Sequence, residues 1–285
     1  GQQFLAHLAE HPWFRPTFLA ASERSEGKRY GEAAAWRLAG PPPEGVLDRI
    51  VESATPGVGP KLVFSALDAS VAGDLERAFA EAGHVVVSNA RNHRMDAVVP
   101  LLVPEVNADH LSLLEVQREA RGWKGLIVTN PNCSTVMLTL ALAPLRQFDL
   151  RTCLVTTLQA VSGAGYPGVP SYDILGNVIP FISGEEEKIE IETRKILGAA
   201  GAEAVEFHPV VVSASTTRVP VIDGHTESVS VALGERPTAD DLRQAFDGFR
   251  GVPQELGLPS APPRPLLYLD APNRQAAPGD QELSA

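Results

Sequence analysis

Apolar residues along this chain switch between two periods, and the switches mark its elements. Phe4, Leu5 and Leu8 in "QQFLAHLAE" (2–10) recur at helical spacing, and "PTFLAAS" (16–22) then runs as a short buried strand. The alternation repeats. "KLVFSALDAS" (61–70) predicts a strand, "VAGDLERAFAEAG" (71–83) an amphipathic helix closed by Gly83, and "HVVVSNA" (84–90) a second strand ending in a polar loop. After the helix "DHLSLLEVQREARG" (109–122) comes the strand "GLIVTN" (125–130). Strands alternating with helices at this spacing predict an α/β fold with a parallel sheet wound on both faces, so ligands gather beyond the carboxyl ends of its strands. Those ends are Ser22, Ser65, Asn89 and Asn130.

From about residue 150 the pattern turns to longer, β-branched strands: "RTCLVTTLQAVSG", "EAVEFHPVVVSAST" and "TESVSVALG". The charged helix "GEEEKIEIETRKILG" interrupts them and "TADDLRQAFDGFR" follows, which predicts an α+β unit on a mostly antiparallel sheet. The Pro-rich "GVPQELGLPSAPPRP" is an ordered crossing loop, and residues 275–285 lack apolar periodicity and are expected to form a disordered tail. The expected domains are 1–132, the doubly wound unit, and 133–274, the α+β unit. The chain opens on Gly1 directly into a helix, so the first strand of its doubly wound unit is expected to be missing.

Composition narrows the class. At 285 residues and 44% hydrophobic, the chain has enough apolar surface for a sizeable core split between two domains. No apolar run reaches the roughly 18 residues a membrane span needs, and no signal-peptide zones open the chain, so a cytoplasmic protein is expected. A net charge of −11 opposes nucleic acid and anionic membranes as partners, so any anionic ligand must be held by a few placed cations. Cys133 and Cys153 are read as free thiols, and no Cys or His spacing suggests a metal site.

Cys133 stands out by position. "GLIVT" ends at the turn "NPN", and "STVMLTLALAPL" begins a helix for which Asn132 is a plausible cap. A sulfur at that place meets the positive end of the helix dipole and the N–H groups of its first turn, which favour a thiolate and an oxyanion. The structural alternative, a buried inert thiol, suits Cys153 in mid-strand better. Among the histidines, His7, His11 and His110 fall in or beside surface helices, and His208 falls in mid-strand. His225 lies after a glycine in "RVPVIDGHTESVSV", in a loop that presents its ring, and Arg218 stands across a turn at 222–224, so the two are expected on adjacent strands facing one pocket. A guanidinium there suits a carboxylate.

With these residues assembled, the sequence resembles the aspartate-semialdehyde dehydrogenases of archaea and fungi. The resemblance rests on "NPNCST" (130–135), "LQAVSGAGYPGVPSYDILGNVIPFISGEEEKIEIET" (158–193) and "RVPVIDGHTESVSV" (218–231), with "LAASERSEGKRY", "SNARNHRMD", "LLVPEVN" and "LPSAPPRP" in support. It implies a Rossmann-like doubly wound domain, an α+β catalytic and dimerisation domain, and NADP-dependent reduction of L-aspartyl 4-phosphate to the semialdehyde, on the way to lysine, threonine, methionine and isoleucine. Cys133 would form the thioester, His225 act as acid and base, and Gln159 orient the acyl group. Arg218 would bind the substrate carboxylate, Glu185 its ammonium, and Lys188 and Arg94 its phosphate, with Asn132 nearby.

For the cofactor, the resemblance places Gly1 as the last glycine of the phosphate-binding loop. Ser22, Arg24 and Ser25 suit a 2′-phosphate although Glu23 stands among them, Ser65 and Ala66 flank the adenine-side ribose, and Ser162 and Gly163 approach the nicotinamide. A homodimer or homotetramer is expected, with "VPSYDILGNVIPFISG" at the contact. Beyond Arg274 the sequence departs from the family pattern, and with both ends incomplete the chain as written is expected to bind NADPH weakly. Two alternatives remain open: a related acyl-CoA reductase such as malonyl-CoA reductase, and an inactive homologue serving as an oligomerisation partner.

Overall fold

The computed structural model describes residues 1–269. Its helices are α1 (Gln2–Leu8), α2 (Tyr30–Ala33), α3 (Ala69–Glu81), α4 (Pro104–Asn107), α5 (Leu113–Arg121), α6 (Cys133–Leu142), α7 (Ser171–Ile174), α8 (Glu185–Ile196), α9 (Ala239–Gly248) and α10 (Val252–Glu255). Its strands are β1 (Ala20–Ala21), β2 (Glu52–Ser53), β3 (Leu62–Ser65), β4 (Val85–Ser88), β5 (Leu126–Thr129), β6 (Leu150–Gln159), β7 (Ala199–Ala200), β8 (Val205–Glu206), β9 (Val211–Arg218) and β10 (Thr226–Leu233).

β3, β4 and β5 pair in that order as a parallel sheet, with Leu62 opposite Val85 and Val85 opposite Leu126. Strands running the same way need crossovers, which α3 and α5 supply. Asp68 starts α3 by accepting the Ser70 N–H, and Gly122 in the left-handed conformation ends α5. All four residues of β5 are buried, as a strand covered on both faces requires. The Ile127 groups turned away from β4 are met by a side chain: Gln117 accepts the Ile127 N–H at 2.7 Å and donates to its carbonyl at 2.9 Å. The strand expected at 16–22 shortens to β1, because the Ser25 N–H bonds back to the Ser22 carbonyl and turns the chain. β1 pairs in parallel with β2, an element the apolar pattern does not announce.

In the second half β6 is the middle strand, with β10 antiparallel on one side and β9 parallel on the other. The expected mostly antiparallel sheet is therefore mixed, since the chain leaves β6, passes through α8 and returns in the same direction as β9. A second expectation changes with it. Arg218 and His225 do not lie on adjacent strands across a turn; residues 219–225 cross the end of β6, where the Val219 N–H donates to the Gln159 carbonyl at 3.0 Å and the Val161 N–H to the Val221 carbonyl at 2.8 Å.

On the inner face of this sheet Cys153, Val155, Val212 and Ala214 pack with Leu138 and Leu142 of α6 and Ile189 and Ile196 of α8. Glu186 and Glu190 accept the Thr216 and Ala214 N–H groups, which closes the free edge of β9. The outer face is open and mostly Ser and Thr, with three large apolar side chains among them: Leu154, 54% exposed, Leu158 and Val211, 63% exposed. Among the described residues no helix is long and apolar enough to cross a membrane. The tail at 275–285, with residues 270–274, lies outside the described residues.

Candidate active site

The turn after β5 delivers Cys133 to the first position of α6. Asn132 caps that helix, its Oδ1 accepting the Ser134 N–H at 3.0 Å and the Thr135 N–H at 3.4 Å. His225 Nε2 lies 3.1 Å from Cys133 Sγ. The other ring nitrogen, Nδ1, accepts the Ala160 N–H at 3.0 Å, so a neutral ring carries its proton on Nε2, toward the sulfur. The Ala160 carbonyl in turn accepts Arg218 Nη1 at 2.8 Å. The backbone of one residue, Ala160, thus aligns both the imidazole and the guanidinium.

The helix start was expected to favour the thiolate, and the balance runs the other way. Burial pushes the Cys133 thiol up and the Glu185 carboxylate adds to it, while the Ser134 N–H pulls it only part of the way back. Burial also lowers His225, helped by the Arg218 charge. Both shifts keep the proton on sulfur and the ring neutral. Cys133 remains exposed, whereas Cys153 is buried and its thiol is pushed up to about 11, chiefly by burial.

Glu185 is the hub of the next layer. Its Oε2 accepts Lys188 Nζ at 2.9 Å, and its Oε1 accepts Asn132 Nδ2 in a very short bond and Gln159 Nε2 at 3.4 Å. Burial alone would raise this carboxyl, but the bonds from Lys188 and Asn132 outweigh it and hold it below its ordinary range. Gln159 is fixed from behind by the Thr157 hydroxyl, which donates to its Oε1 at 3.0 Å. Arg94 reaches the same cluster through Glu192, which sequence reasoning missed: Glu192 Oε1 accepts Arg94 Nη1 at 2.9 Å and Oε2 accepts the Asn132 N–H at 2.7 Å. Lys195, also missed, is fully buried. The signal was present, since Glu185, Lys188, Glu192 and Lys195 share the helical face that carries Ile189 and Ile196, a face where charges are out of place unless paired.

Eight sequence-predicted residues, Cys133, His225, Gln159, Arg218, Glu185, Lys188, Asn132 and Arg94, are therefore joined in one region. The nucleotide-side residues stand apart. Ser22, Arg24 and Ser25 follow β1, with Ser22 and Arg24 exposed, and Gly1 caps α1. Ser65 is buried and its hydroxyl donates to Glu76, which leaves Ala66 as the exposed member of that pair. Ser162 and Gly163 lie in an exposed turn beside the reactive pair. A Cβ on Gly163 would sit 2.8 Å from Arg218 Nη1 and 3.6 Å from His225 Cε1, so glycine leaves the two side chains unobstructed on that side.

Two histidine expectations are corrected. His110 is fully buried, its Nδ1 bonded to Asn107 and its Nε2 to the Gly198 carbonyl, because the helix it precedes packs inward at that point. His208 lies in the loop before β9 rather than within a strand, where its Nδ1 accepts the Val210 N–H. Among the described residues no group of three or more His, Cys, Asp or Glu is arranged to hold a metal.

Both halves of the chain are similar to known proteins. The model for "Semialdehyde dehydrogenase, NAD binding domain" matches residues 1–114, and that for "Semialdehyde dehydrogenase, dimerisation domain" matches residues 142–276. The aspartate-semialdehyde dehydrogenase of Methanothermobacter thermautotrophicus is 51% identical over 99% of this chain and 82% of its own length. The crystal structure of aspartate semialdehyde dehydrogenase with NADP from Candida albicans superimposes with a TM-score of 0.87 at 42% identity, covering 97% of this chain and 80% of that one. A malonyl CoA reductase (NADP) of Metallosphaera sedula is more distant, 36% identical over 94% of this chain and 76% of its own length. Matched across both halves and along nearly its whole length, the chain belongs to the aspartate-semialdehyde dehydrogenase family.

Proposed function

We propose that this chain reduces L-aspartyl 4-phosphate to L-aspartate 4-semialdehyde through a thioester on Cys133. The observation that carries the reading is the 3.1 Å approach of His225 Nε2 to Cys133 Sγ at the start of α6, beside a carboxylate and several cations. The Cys133 thiol gives up its proton to solvent, because His225 Nε2 already carries one; that Nε2–H donates to the thiolate, steadies it and serves as the acid of the site. That thiolate attacks the acyl carbon, and the carbon–oxygen bond to phosphate breaks, phosphate leaving with the electron pair. NADPH, when bound, supplies the hydride for the thioester. Cys133 regains its electron pair as the carbon–sulfur bond breaks and the aldehyde departs. Arg218 takes the substrate carboxylate, Glu185 the ammonium, Lys188 and Arg94 the phosphate with Asn132 nearby, and Gln159 orients the acyl group.

Gly1, Ser22, Arg24, Ser25, Ser65, Ala66, Ser162 and Gly163 form the cofactor side. The exposed Arg24 and Ser22 favour NADP over NAD, because a 2′-phosphate needs a cation and hydroxyls rather than an acid. The domain boundary is placed between residues 132 and 133. The open sheet face that carries exposed Leu154, Leu158 and Val211, with Tyr172 and Leu175 of the 169–184 stretch, is where two copies meet, as a dimer or a tetramer built from dimers. The setting is cytoplasmic.

Following NADPH oxidation with aspartyl phosphate and with malonyl-CoA in parallel tests the substrate. Turnover of the first and none of the second is expected; the reverse would assign the chain to the acyl-CoA reductases. The inactive-homologue reading predicts turnover of neither substrate; labelling of Cys133 over Cys153 follows from exposure alone and does not separate the two.

A further inference from the structure

The inward face of α8 carries more than the residues that meet substrate. Lys195, fully buried, donates to three backbone carbonyls of one loop: Arg94 at 2.7 Å, Asp96 at 2.7 Å and Val99 at 2.9 Å. Glu192, one turn earlier on α8, grips the Arg94 side chain through Nη1 and the Asn132 backbone N–H with its other oxygen. Arg94 Nη2 is held by the Asn89 carbonyl at 3.0 Å, and its Nε has no partner. The residue is thus fixed at both ends, carbonyl by Lys195 and guanidinium by Glu192.

We infer that Lys195 is a positioning residue for phosphate recognition: by fixing the 94–99 loop and supplying a positive charge behind the Arg94–Glu192 pair, it presents Arg94 to the phosphate. This rests on the assignment of Arg94 to the phosphate in the proposed reaction. Electrostatics supports it independently of packing. Arg94 and Glu192 together are neutral, so a dianion gains little from the pair alone; Lys195 returns one net positive charge to the trio. Three bonds to successive parts of one loop also cost a long side chain its rotamer freedom and an ammonium its hydration, and an apolar residue would fill the core without either cost. Such an arrangement is intelligible when the loop's placement matters.

The test runs the reaction in reverse, with semialdehyde, NADP and inorganic phosphate as substrates, and measures KM for phosphate and for semialdehyde separately. Lys195→Met is expected to raise KM for phosphate roughly ten- to hundredfold, the range by which loss of an outer partner weakens the group it orients, with KM for semialdehyde nearly unchanged. If Lys195→Met does not fold, Lys195→Gln, which retains two donors, is expected to show the same selective rise on a smaller scale. Equal changes in both KM values, or a loss of kcat and melting temperature alone, would make Lys195 merely structural and overturn the proposal. Arg94→Met is the control: if it leaves KM for phosphate unchanged, the assignment of Arg94 fails; if it raises that KM while the Lys195 variants do not, only the positioning role fails.

Discussion

The groups after β1 and those around the end of β6 are held in opposite ways. Ser22 and Arg24 are exposed side chains at a strand end, and no hydrogen bond joins them to the Cys133 cluster among the described residues. Gln159, Glu185, Arg94 and Arg218 are buried, and each is held by hydrogen bonds to other protein groups. An exposed cation interacts through water and adds modestly to affinity, while a buried charge depends on every partner it has. The nucleotide side is therefore expected to tolerate change residue by residue, and the substrate side to respond as a unit.

The largest test of that contrast is Cys133→Ser. Removing the thiolate should lower kcat by about four orders of magnitude or more, as loss of a nucleophile does elsewhere, while NADPH affinity, measured by fluorescence titration, stays as in the parent. A variant retaining parental turnover would end the thioester proposal. Arg24→Ala should act on the other region alone. It is expected to reduce the preference for NADPH over NADH by roughly tenfold, about one charge-assisted hydrogen bond, with KM for phosphate untouched. An unchanged cofactor preference would remove Arg24 from the 2′-phosphate site.

The smallest effect sharpens the electrostatics within the buried cluster. Because burial and then the Glu185 carboxylate raise the Cys133 thiol, the midpoint of its alkylation rate against pH should lie above that of an ordinary cysteine. The sign follows from charge: Glu185→Gln removes an anion facing the sulfur, so the midpoint should move down. Movement upward, or none, would mean that Glu185 does not act on the thiol.

Much of this was legible before any coordinates. The β3 to β5 alternation, the helix start at Cys133 and the Asn132 cap follow from local pattern, because periodicity and capping are set by neighbours a few residues away. The exposed apolar side chains of "VPSYDILGNVIPFISG" were also legible, and in the structure Tyr172 is 98% and Leu175 71% exposed. Glu192 and Lys195 escaped notice because a run of charges on a helix ordinarily marks a solvated face, and only their registry with Ile189 and Ile196 hinted otherwise.

By itself, the sequence determined the main alternation of strands and helices and the residue types that stand at their ends, since these depend on short-range sterics, hydrogen bonding and apolar period. Only the tertiary structure decided that β9 runs parallel to β6, that Arg218 and His225 both bond to the backbone of Ala160, and that the Cys133 thiol is raised. Those outcomes depend on which distant segments share a space and how much water they exclude, and no local pattern encodes either.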